Sequence, residues 1–416
     1  MATVILKKGR AAPVLRRHPW IFSGAIYDVE GTPSPGDIVD VCDAGRNWLA
    51  RGYINQESQI TVRLLTWNEA EGVDGGFWRR RLTRAIAARS SLADGPGTTA
   101  YRLVHAESDY LPGLIVDRYG HWLVVQFLTL GVDRRRDDIV GQLGGLLSPR
   151  GIYERSDADV REKEGLEERT GRLWGAEPPQ QVEIVELGHR FLVDVRAGHK
   201  TGFYLDQREN RARLHTMVAD LRPRVEVLDA FAYTGGFAVC AAAAGARKIT
   251  LVDSSASALA LARQNLALNA PVDRNQVENS PASGPKHGPL NAIDYVDGDV
   301  FSVLRGYRAQ ERQFDVIILD PPKLAHSRSE VKRASRAYKD VNLLAFQLLR
   351  PGGLLFTFSC SGRVSADLFQ KIVFGALADS NRKAQITGRM THGADHPVAL
   401  SFPEGDYLKG LICRVW

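Results

Sequence analysis

The chain is expected to be an α/β protein in three parts: a small N-terminal β-barrel, a middle α/β domain and a C-terminal doubly wound, mostly parallel sheet. Three observations carry this expectation. Beyond residue 225, β-prone segments alternate with helical ones; before residue 67, short β-prone runs alternate with Gly and Pro turns; and 416 residues, 44% of them hydrophobic, exceed what one core usually holds.

The N-terminal runs are residues 3–6, 37–42, 48–54 and 60–65. Strands this short, separated by turn residues, suit a small barrel. Gly36-Asp37-Ile38-Val39-Asp40-Val41 followed by Ala50-Arg51-Gly52-Tyr53 resembles the PUA module, a compact β-domain appended to RNA-modifying enzymes. A Gly-rich, acidic joint at 69–76 places the first boundary at residue 72, giving a PUA-like RNA-binding domain over 1–72.

The middle domain, 73–197, is expected to hold a helix at 77–92, strands at 101–105, 114–117 and 122–128, a helix at 134–147 and a strand at 152–155. A hairpin of 182–186 and 191–195, turning at Leu187-Gly188-His189-Arg190, closes it. The third domain, 198–416, has strands at 225–228, 248–252, 294–296, 316–319 and 354–358, with helices at 237–244, 257–269 and 333–349. Residues 271–290, rich in Pro, Asn, Ser and Gly, read as a flexible surface loop.

No apolar leader opens the sequence and no stretch is long enough to span a bilayer, so a soluble cytoplasmic protein with no membrane partner is expected. Cys42, Cys240, Cys360 and Cys413 lie far apart without C-x-x-C spacing, which suggests reduced thiols and no zinc site. The net charge of +6 is small for the length. Its distribution says more. Lys7, Lys8, Arg10, Arg16 and Arg17 precede the first acid, Asp28, and are interleaved with His18, Trp20 and Phe22. Cations beside stacking rings are what single-stranded nucleic acid favours, although a solvated basic face accounts for them equally well. For Arg79, Arg80, Arg81, Arg84 and Arg89, on an expected helix, the solvated face is the better reading.

In Val225-Glu226-Val227-Leu228-Asp229-Ala230-Phe231-Ala232-Tyr233-Thr234-Gly235-Gly236-Phe237, a strand runs through a glycine turn into a helix. The G-x-G-x-x-G spacing of dinucleotide enzymes is absent. Asp229 can instead take a ligand's ammonium, while exposed amides and Thr234 meet its carboxylate, which describes the methionine tail of S-adenosylmethionine. Asp253 ends the next strand, where it can accept both ribose hydroxyl protons, and Asp299 follows the third, where it can meet the adenine amine. Each acid alone would be a helix cap or turn residue; three at consecutive strand ends favour a cofactor. Upstream, residues 198–211 are dense in polar and aromatic groups. A capped helix entry accounts for part of this, with Asp206 as cap and Glu209 completing a capping box, while Gln207 and Arg208 can face the methionine carboxylate.

Cys360, in Phe358-Ser359-Cys360-Ser361-Gly362, and Asp320, in Asp320-Pro321-Pro322-Lys323, both follow apolar β-prone runs. They are therefore expected at carboxyl ends of strands, where open α/β sheets place their ligands. With these motifs, with His199-Lys200-Thr201-Gly202-Phe203-Tyr204-Leu205-Asp206-Gln207-Arg208, and with Ala394-Asp395-His396-Pro397 and Pro403-Glu404-Gly405-Asp406-Tyr407-Leu408-Lys409-Gly410, the chain resembles, over nearly its whole length, the bacterial large-subunit ribosomal RNA 5-methylcytosine methyltransferase I family. The resemblance implies a PUA domain, a middle α/β domain and a Rossmann-type methyltransferase domain. It implies S-adenosylmethionine as cofactor and a cytosine of 23S ribosomal RNA, naked or in an early large-subunit particle, as substrate; a homodimer is open. The expected cofactor contacts are then Tyr204, Gln207, Arg208, Asp229, Phe231, Tyr233, Thr234, Gly235, Asp253, Asp299 and Asp320, and Lys323 joins the five N-terminal cations toward RNA.

The chemistry asks for the same residues. Carbon 5 of cytosine is too poor a nucleophile to attack a sulfonium methyl until another nucleophile has added at carbon 6. A thiolate both adds and leaves readily, so Cys360 is expected in that role. Cys240, Cys413 and Cys42 lie in apolar or strand contexts that fit inert thiols. Asp320 would hydrogen-bond the ring nitrogen or exocyclic amine as charge develops. Asp-Pro-Pro also occurs in amine methyltransferases, where an aromatic residue usually follows; here Lys323 does. No second cysteine follows the proline, so the base that removes the carbon 5 proton is not assigned. A guanine or adenine nitrogen methyltransferase, which would not need Cys360, and a non-catalytic RNA-binding assembly factor stay open as alternatives.

Overall fold

The computed structural model describes residues 1–93, 97–221, 224–270, 292–325 and 327–416. These form two compact units, one of Met1–Gly188, Val193–Asp206 and Ala394–Gly405, the other of His189–Leu192, Gln207–Gly393 and Asp406–Trp416. The expected loop at 271–290 lies outside the described residues.

The first unit holds two sheets, each with its own core. In the six-stranded sheet the spatial order is Trp20–Ile21, Val62–Thr66, Trp48–Ile54, Ile38–Cys42, Ala2–Leu6 and Ile26–Glu30. Alternate residues Val39, Val41, Ala50, Ile54, Val62 and Leu64 meet Val4 and Leu6 inside it. Trp20–Ile21 and Ile26–Glu30 were not expected as strands. Both are sheet edges, and edges carry little apolar alternation.

The five-stranded sheet runs Arg169–Gly175, Gly151–Ser156, Trp122–Phe127, Leu114–Tyr119, Ala100–His105. The helices Gly75–Ala87 and Arg136–Leu147 share its core through Phe77, Trp78, Leu82, Ile139 and Leu143. Asp74 starts the first helix by accepting the amide of Phe77 at 2.8 Å. The single helix expected over 77–92 ends at Ala87, and Ser90–Ala93 is a separate turn of helix. The one expected over 134–147 is present as Arg136–Leu147, preceded by a separate turn of helix at Leu130–Asp133.

Two of the five arginines expected on a solvated face are not there. Arg89 is buried and binds both oxygens of Asp109 at 2.8 Å, and Arg81 lies over the rings of Phe77 and Tyr110. A buried guanidinium needs such a bidentate partner. Arg79, Arg80 and Arg84 are exposed as expected. Further buried polar groups tie the unit together: Arg102 pairs with Asp117 at 2.8 Å, and its amide donates to Asp395 at 2.9 Å.

Val182–Glu186 and His189–Val193 flank a turn of two residues rather than the four expected, Leu187 (φ 52°) and Gly188 (φ 82°). Successive left-handed residues make the type I′ turn whose twist matches that of paired strands.

The second unit is a doubly wound sheet. Its elements are α1 (Arg208–Ala219), β1 (Glu226–Ala230), α2 (Gly236–Ala243), β2 (Lys248–Asp253), α3 (Ala256–Leu268), β3 (Ala292–Asp297), α4 (Val300–Ala309), β4 (Phe314–Leu319), α5 (Val331–Leu348), β5 (Leu349–Ser359), α6 (Ala366–Ser380), β6 (Ala384–Met390) and β7 (Lys409–Val415). The strand order is β3-β2-β1-β4-β5-β7-β6, parallel from β3 through β5, with β7 antiparallel to both its neighbours. The order reverses between β1 and β4, and the crevice beyond their carboxyl ends is where such sheets bind ligands. Register sets Ala230 beside Leu319 and Leu319 beside Thr357, so the segments that follow β1, β4 and β5 leave the sheet side by side.

Helix α1 begins at Arg208 with Gln207, rather than the expected Asp206, as N-cap, and Gln207 makes no side-chain cap. Asp206 instead accepts from Lys200 Nζ at 2.6 Å. Among the described residues no helix is long and apolar enough to cross a membrane.

Candidate active site

Asp229 is the last but one residue of β1 and is buried, accepting the amide of Ala238 in the first turn of α2 at 3.1 Å. Burial pushes its carboxyl well above the usual carboxylate range, and the neighbouring acids Asp320 and Asp253 push it further. The Ala238 amide and Arg211 oppose this without cancelling it. A carboxyl held in this way calls for a cation.

The loop between β1 and α2 is wound unusually. Phe231, Tyr233 and Gly235 have φ of 64°, 49° and 77°, so three alternate residues sit in the left-handed region. Two of them carry side chains that disfavour it, and strain of this kind gathers at ligand sites. At Gly235 only glycine serves: a Cβ there would come within 3.1 Å of the Ala262 Cβ. The Phe231 and Ala232 amides both donate to the Val252 carbonyl, at 2.9 and 3.1 Å, which draws the loop onto the end of β2. Thr234 is buried, and its carbonyl accepts from Asn265 at 3.0 Å.

Asp253, at the end of β2, accepts the Tyr233 amide on Oδ2 at 2.8 Å and the Ser255 amide on Oδ1 at 2.9 Å. Each oxygen keeps a second lone pair, so the carboxylate is oriented before any ligand arrives. Asp299 serves as the N-cap of α4, taking the Ser302 amide and hydroxyl on Oδ1 at 2.9 and 2.8 Å. The capping role weighed for these acids therefore holds for Asp299, with Oδ2 outside the cap.

Asp320 follows β4 and accepts Gln207 Nε2 at 2.9 Å. Gln207 in turn accepts Asn210 Nδ2 at 2.6 Å, which also donates to the Thr391 carbonyl at 2.9 Å. One end of α1 thus orients the carboxylate of the Asp-Pro-Pro loop. Arg208 is buried in the first turn of that helix. Tyr204 belongs to the first unit, where its ring lies 4.2 Å from Lys200 Nζ and its hydroxyl 3.3 Å from His199 Nδ1.

Cys360 stands one residue beyond β5, half-buried, with Sγ 3.9 Å from the Pro321 carbonyl. The thiol and the Asp-Pro-Pro loop are therefore neighbours, as their strand-end positions imply. Tyr338 on α5 fixes both flanks: its hydroxyl accepts from Ser359 Oγ at 2.9 Å and lies 3.1 Å from Ser361 Oγ. Ser361 Oγ also accepts the Ala325 amide at 3.3 Å, which ties the two loops together. Cys240 and Cys413 are buried, and burial pushes the Cys413 thiol up to about 12, as suits an inert residue.

Lys323 is exposed in the same loop, and Lys7, Lys8, Arg10, Arg16 and Arg17 are all exposed in the first unit. Of the site's residues, Asn210, Arg211 and Tyr338 were not singled out from sequence. The first two lay in the polar run at 198–211, three or four residues beyond Gln207 and hence on one helix face. Tyr338 is hidden among the apolar residues of an amphipathic helix.

The residues present fit S-adenosylmethionine: a buried carboxyl that needs a cation, an oriented carboxylate at the next strand end, and a strained glycine loop between them. Comparison with known proteins agrees. Residues 4–67 match a PUA-like domain and residues 167–373 match the S-adenosylmethionine-dependent methyltransferase family. The chain is 46% identical over 412 residues to ribosomal RNA large subunit methyltransferase I of Klebsiella pneumoniae, covering 99% of this chain and 98% of that one. It is 48% identical to the protein of that name from Tolumonas auensis, covering 99% of each. In fold it matches a structure assigned as a SAM-dependent methyltransferase from Streptococcus mutans, at a TM-score of 0.81, 22% identity and complete coverage of both chains. A methyltransferase-assigned structure complexed with SAH gives a TM-score of 0.82, again at 22% identity and complete coverage. The chain is an S-adenosylmethionine-dependent methyltransferase and belongs to the ribosomal RNA large subunit methyltransferase I family.

Proposed function

We propose that the enzyme methylates carbon 5 of a cytosine in 23S ribosomal RNA through a transient bond between Cys360 Sγ and carbon 6 of the base. The observation that carries this reading is the approach of the Cys360 sulfur to the Asp320-Pro321 loop, with Sγ 3.9 Å from the Pro321 carbonyl. Neither an amine nor a ring-nitrogen methyltransferase needs a thiol there.

The Cys360 thiolate gives its electron pair to carbon 6, and the displaced π electrons make carbon 5 carbanion-like. Asp320, oriented by Gln207, hydrogen-bonds the ring nitrogen or exocyclic amine and steadies the charge that develops there. When bound, the sulfonium cofactor supplies the electrophilic methyl. Loss of the carbon 5 proton to a base then re-forms the double bond and expels the thiolate. Asp229 holds the cofactor's ammonium, Asp253 its ribose hydroxyls and Asp299 Oδ2 its adenine amine, with Gln207 and Arg208 toward its carboxylate and the Phe231 to Gly235 loop around it.

The reaction is tested by trapping. RNA carrying 5-fluorocytosine at the target, incubated with S-adenosylmethionine, should give a protein-RNA adduct that survives denaturant, because fluorine cannot leave as a proton. Cys360→Ala should give none. Methylation that persists in Cys360→Ala would favour a nitrogen methyltransferase, and absence of cofactor binding a non-catalytic factor.

Carbon 6 is out of reach inside a duplex, so the target cytosine must be unpaired or flipped from the stack. For the RNA backbone we propose Lys7, Lys8, Arg10, Arg16, Arg17 and Lys323. Support comes from a cleft of about 440 Å³ in the first unit, lined by Arg10, His18, Trp20, Phe22 and Glu404 among others, which sets a cation beside aromatic rings. Arg10→Ala with Arg17→Ala should lower RNA affinity and flatten its log-log salt dependence by about two. An unchanged salt slope would remove both from the RNA contact.

A further inference from the structure

Lys409 opens β7 opposite Ser359, the residue before Cys360. Its ammonium donates to the carbonyl of Ser361, the residue after Cys360, at 2.9 Å and to that of Val364 at 2.7 Å. The same two residues close a turn through the Val364 amide and the Ser361 carbonyl at 3.0 Å. One cation is thus anchored across the turn that carries the thiol. The rest of β7, Gly410 to Val415, supplies no other ammonium, and a lysine is costly on a largely buried strand unless its charge is used.

We propose that Lys409 is a positioning residue that fixes the Cys360 turn and holds the sulfur in its thiolate form. This rests on the nucleophilic role given to Cys360 above. Two of the three ammonium N–H groups are taken by carbonyls of the turn, one of them that of the residue after Cys360, which sets the positive charge in the turn that carries the thiol. Burial pushes the Lys409 ammonium down, while Asp406 and Cys360 push it up, so lysine and cysteine influence each other's charge. Two further cations, Arg363 in the turn and Lys323 in the Asp-Pro-Pro loop, are exposed to solvent, and the other groups named near the thiol carry no positive charge. Tyr338 approaches from α5 as an uncharged phenol, its ionisation pushed up by burial, and Asp320 precedes Pro321 in the loop after β4. Lys409 is the partly buried cation bonded to two carbonyls of the turn.

The test reads the thiol directly. Alkylation of Cys360 by iodoacetamide, followed as a function of pH by mass spectrometry of its peptide in the full-length protein, gives the thiol's pKa without need of RNA. Lys409→Met and Lys409→Gln should raise that value by about one pH unit or more, the effect of removing an adjacent opposite charge, and Lys409→Arg should restore most of it. Gln keeps a donor for a turn carbonyl without the charge, so it separates charge from clamping if Met perturbs the fold. An alkylation profile in Lys409→Gln that overlays the wild type, with the protein folded by circular dichroism, overturns the proposal. A wild type that shows the Lys409 effect but forms no 5-fluorocytosine adduct supports Lys409's action on the thiol and overturns only the catalytic role of Cys360.

Discussion

Asp229→Asn should make the ligand-free enzyme more stable and nearly unable to bind its cofactor. The carboxyl is buried, with its acid form favoured by desolvation and by Asp320 and Asp253. Below the ordinary carboxyl range, folded and unfolded chains both hold the proton, and the stability associated with this group is fully present. As pH rises, the unfolded chain releases a proton that the folded chain retains, so stability falls until pH reaches the raised folded value. Asparagine keeps an oxygen for the Ala238 amide and has no proton to lose. Its melting temperature near neutral pH should therefore rise by a few degrees, about 1 kcal/mol corresponding to about 2–4 °C for a unit of this size. Affinity for S-adenosylmethionine should fall by about 100-fold or more, since a cation would then enter a buried site without its countercharge, at a cost of about 3 kcal/mol or more. Calorimetry checks both. In the wild type, cofactor binding should release a proton, seen as a binding enthalpy that varies with the buffer's ionisation enthalpy. A variant that binds the cofactor normally would remove Asp229 from the ammonium contact.

Asp320→Asn separates the reaction from cofactor capture. Asparagine can still accept from Gln207 Nε2 through its own oxygen, so the loop should stay in place. What it lacks is the negative charge proposed to steady the cytosine as the thiolate adds. A drop in kcat of about 10²–10³ is expected, as for removal of one preorganised transition-state contact. The same charge is one cause of the raised Asp229 carboxyl, so its loss should bring Asp229 down and let the cofactor bind at lower pH than in the wild type. Single-turnover methylation and a pH series of cofactor affinity distinguish the two effects. An Asp320→Asn enzyme with an unaltered turnover rate would mean that the carboxylate does not touch the reacting base.

How far the sequence could be read depended on what each segment buries. Strands β1, β4 and β5 are near-continuous apolar runs because helices cover parallel strands on both faces, and such runs stand out. Ala384–Met390 and Arg169–Gly175 are mostly exposed edges, with compositions that match a loop as well as a strand, and neither was expected. The strand-end positions of Asp229, Asp253, Asp320 and Cys360 were legible because each ends an apolar run. The bond from Gln207 to Asp320 joins residues far apart in the chain, which no local pattern encodes. Asp299 shows the converse: the same residue at the same strand-to-helix junction serves a cap and remains eligible for a ligand, and pattern cannot separate the two.

The place of β7 in the sheet has a consequence for how the enzyme is made. Of the seven strands it is last in sequence, yet it lies between β5 and β6, with Leu411 opposite Thr357 and Gly410 opposite Phe358. A ribosome synthesising this chain releases the β5 segment, Cys360 included, well before the strand that covers its open flank. Until β7 emerges, β5 offers a row of unpaired amides and carbonyls, and the cysteine lacks the lysine that secures its turn. The doubly wound sheet can therefore close over β5 only once β7 has been made, so the flank beside the Cys360 turn is the last part of the sheet to be completed.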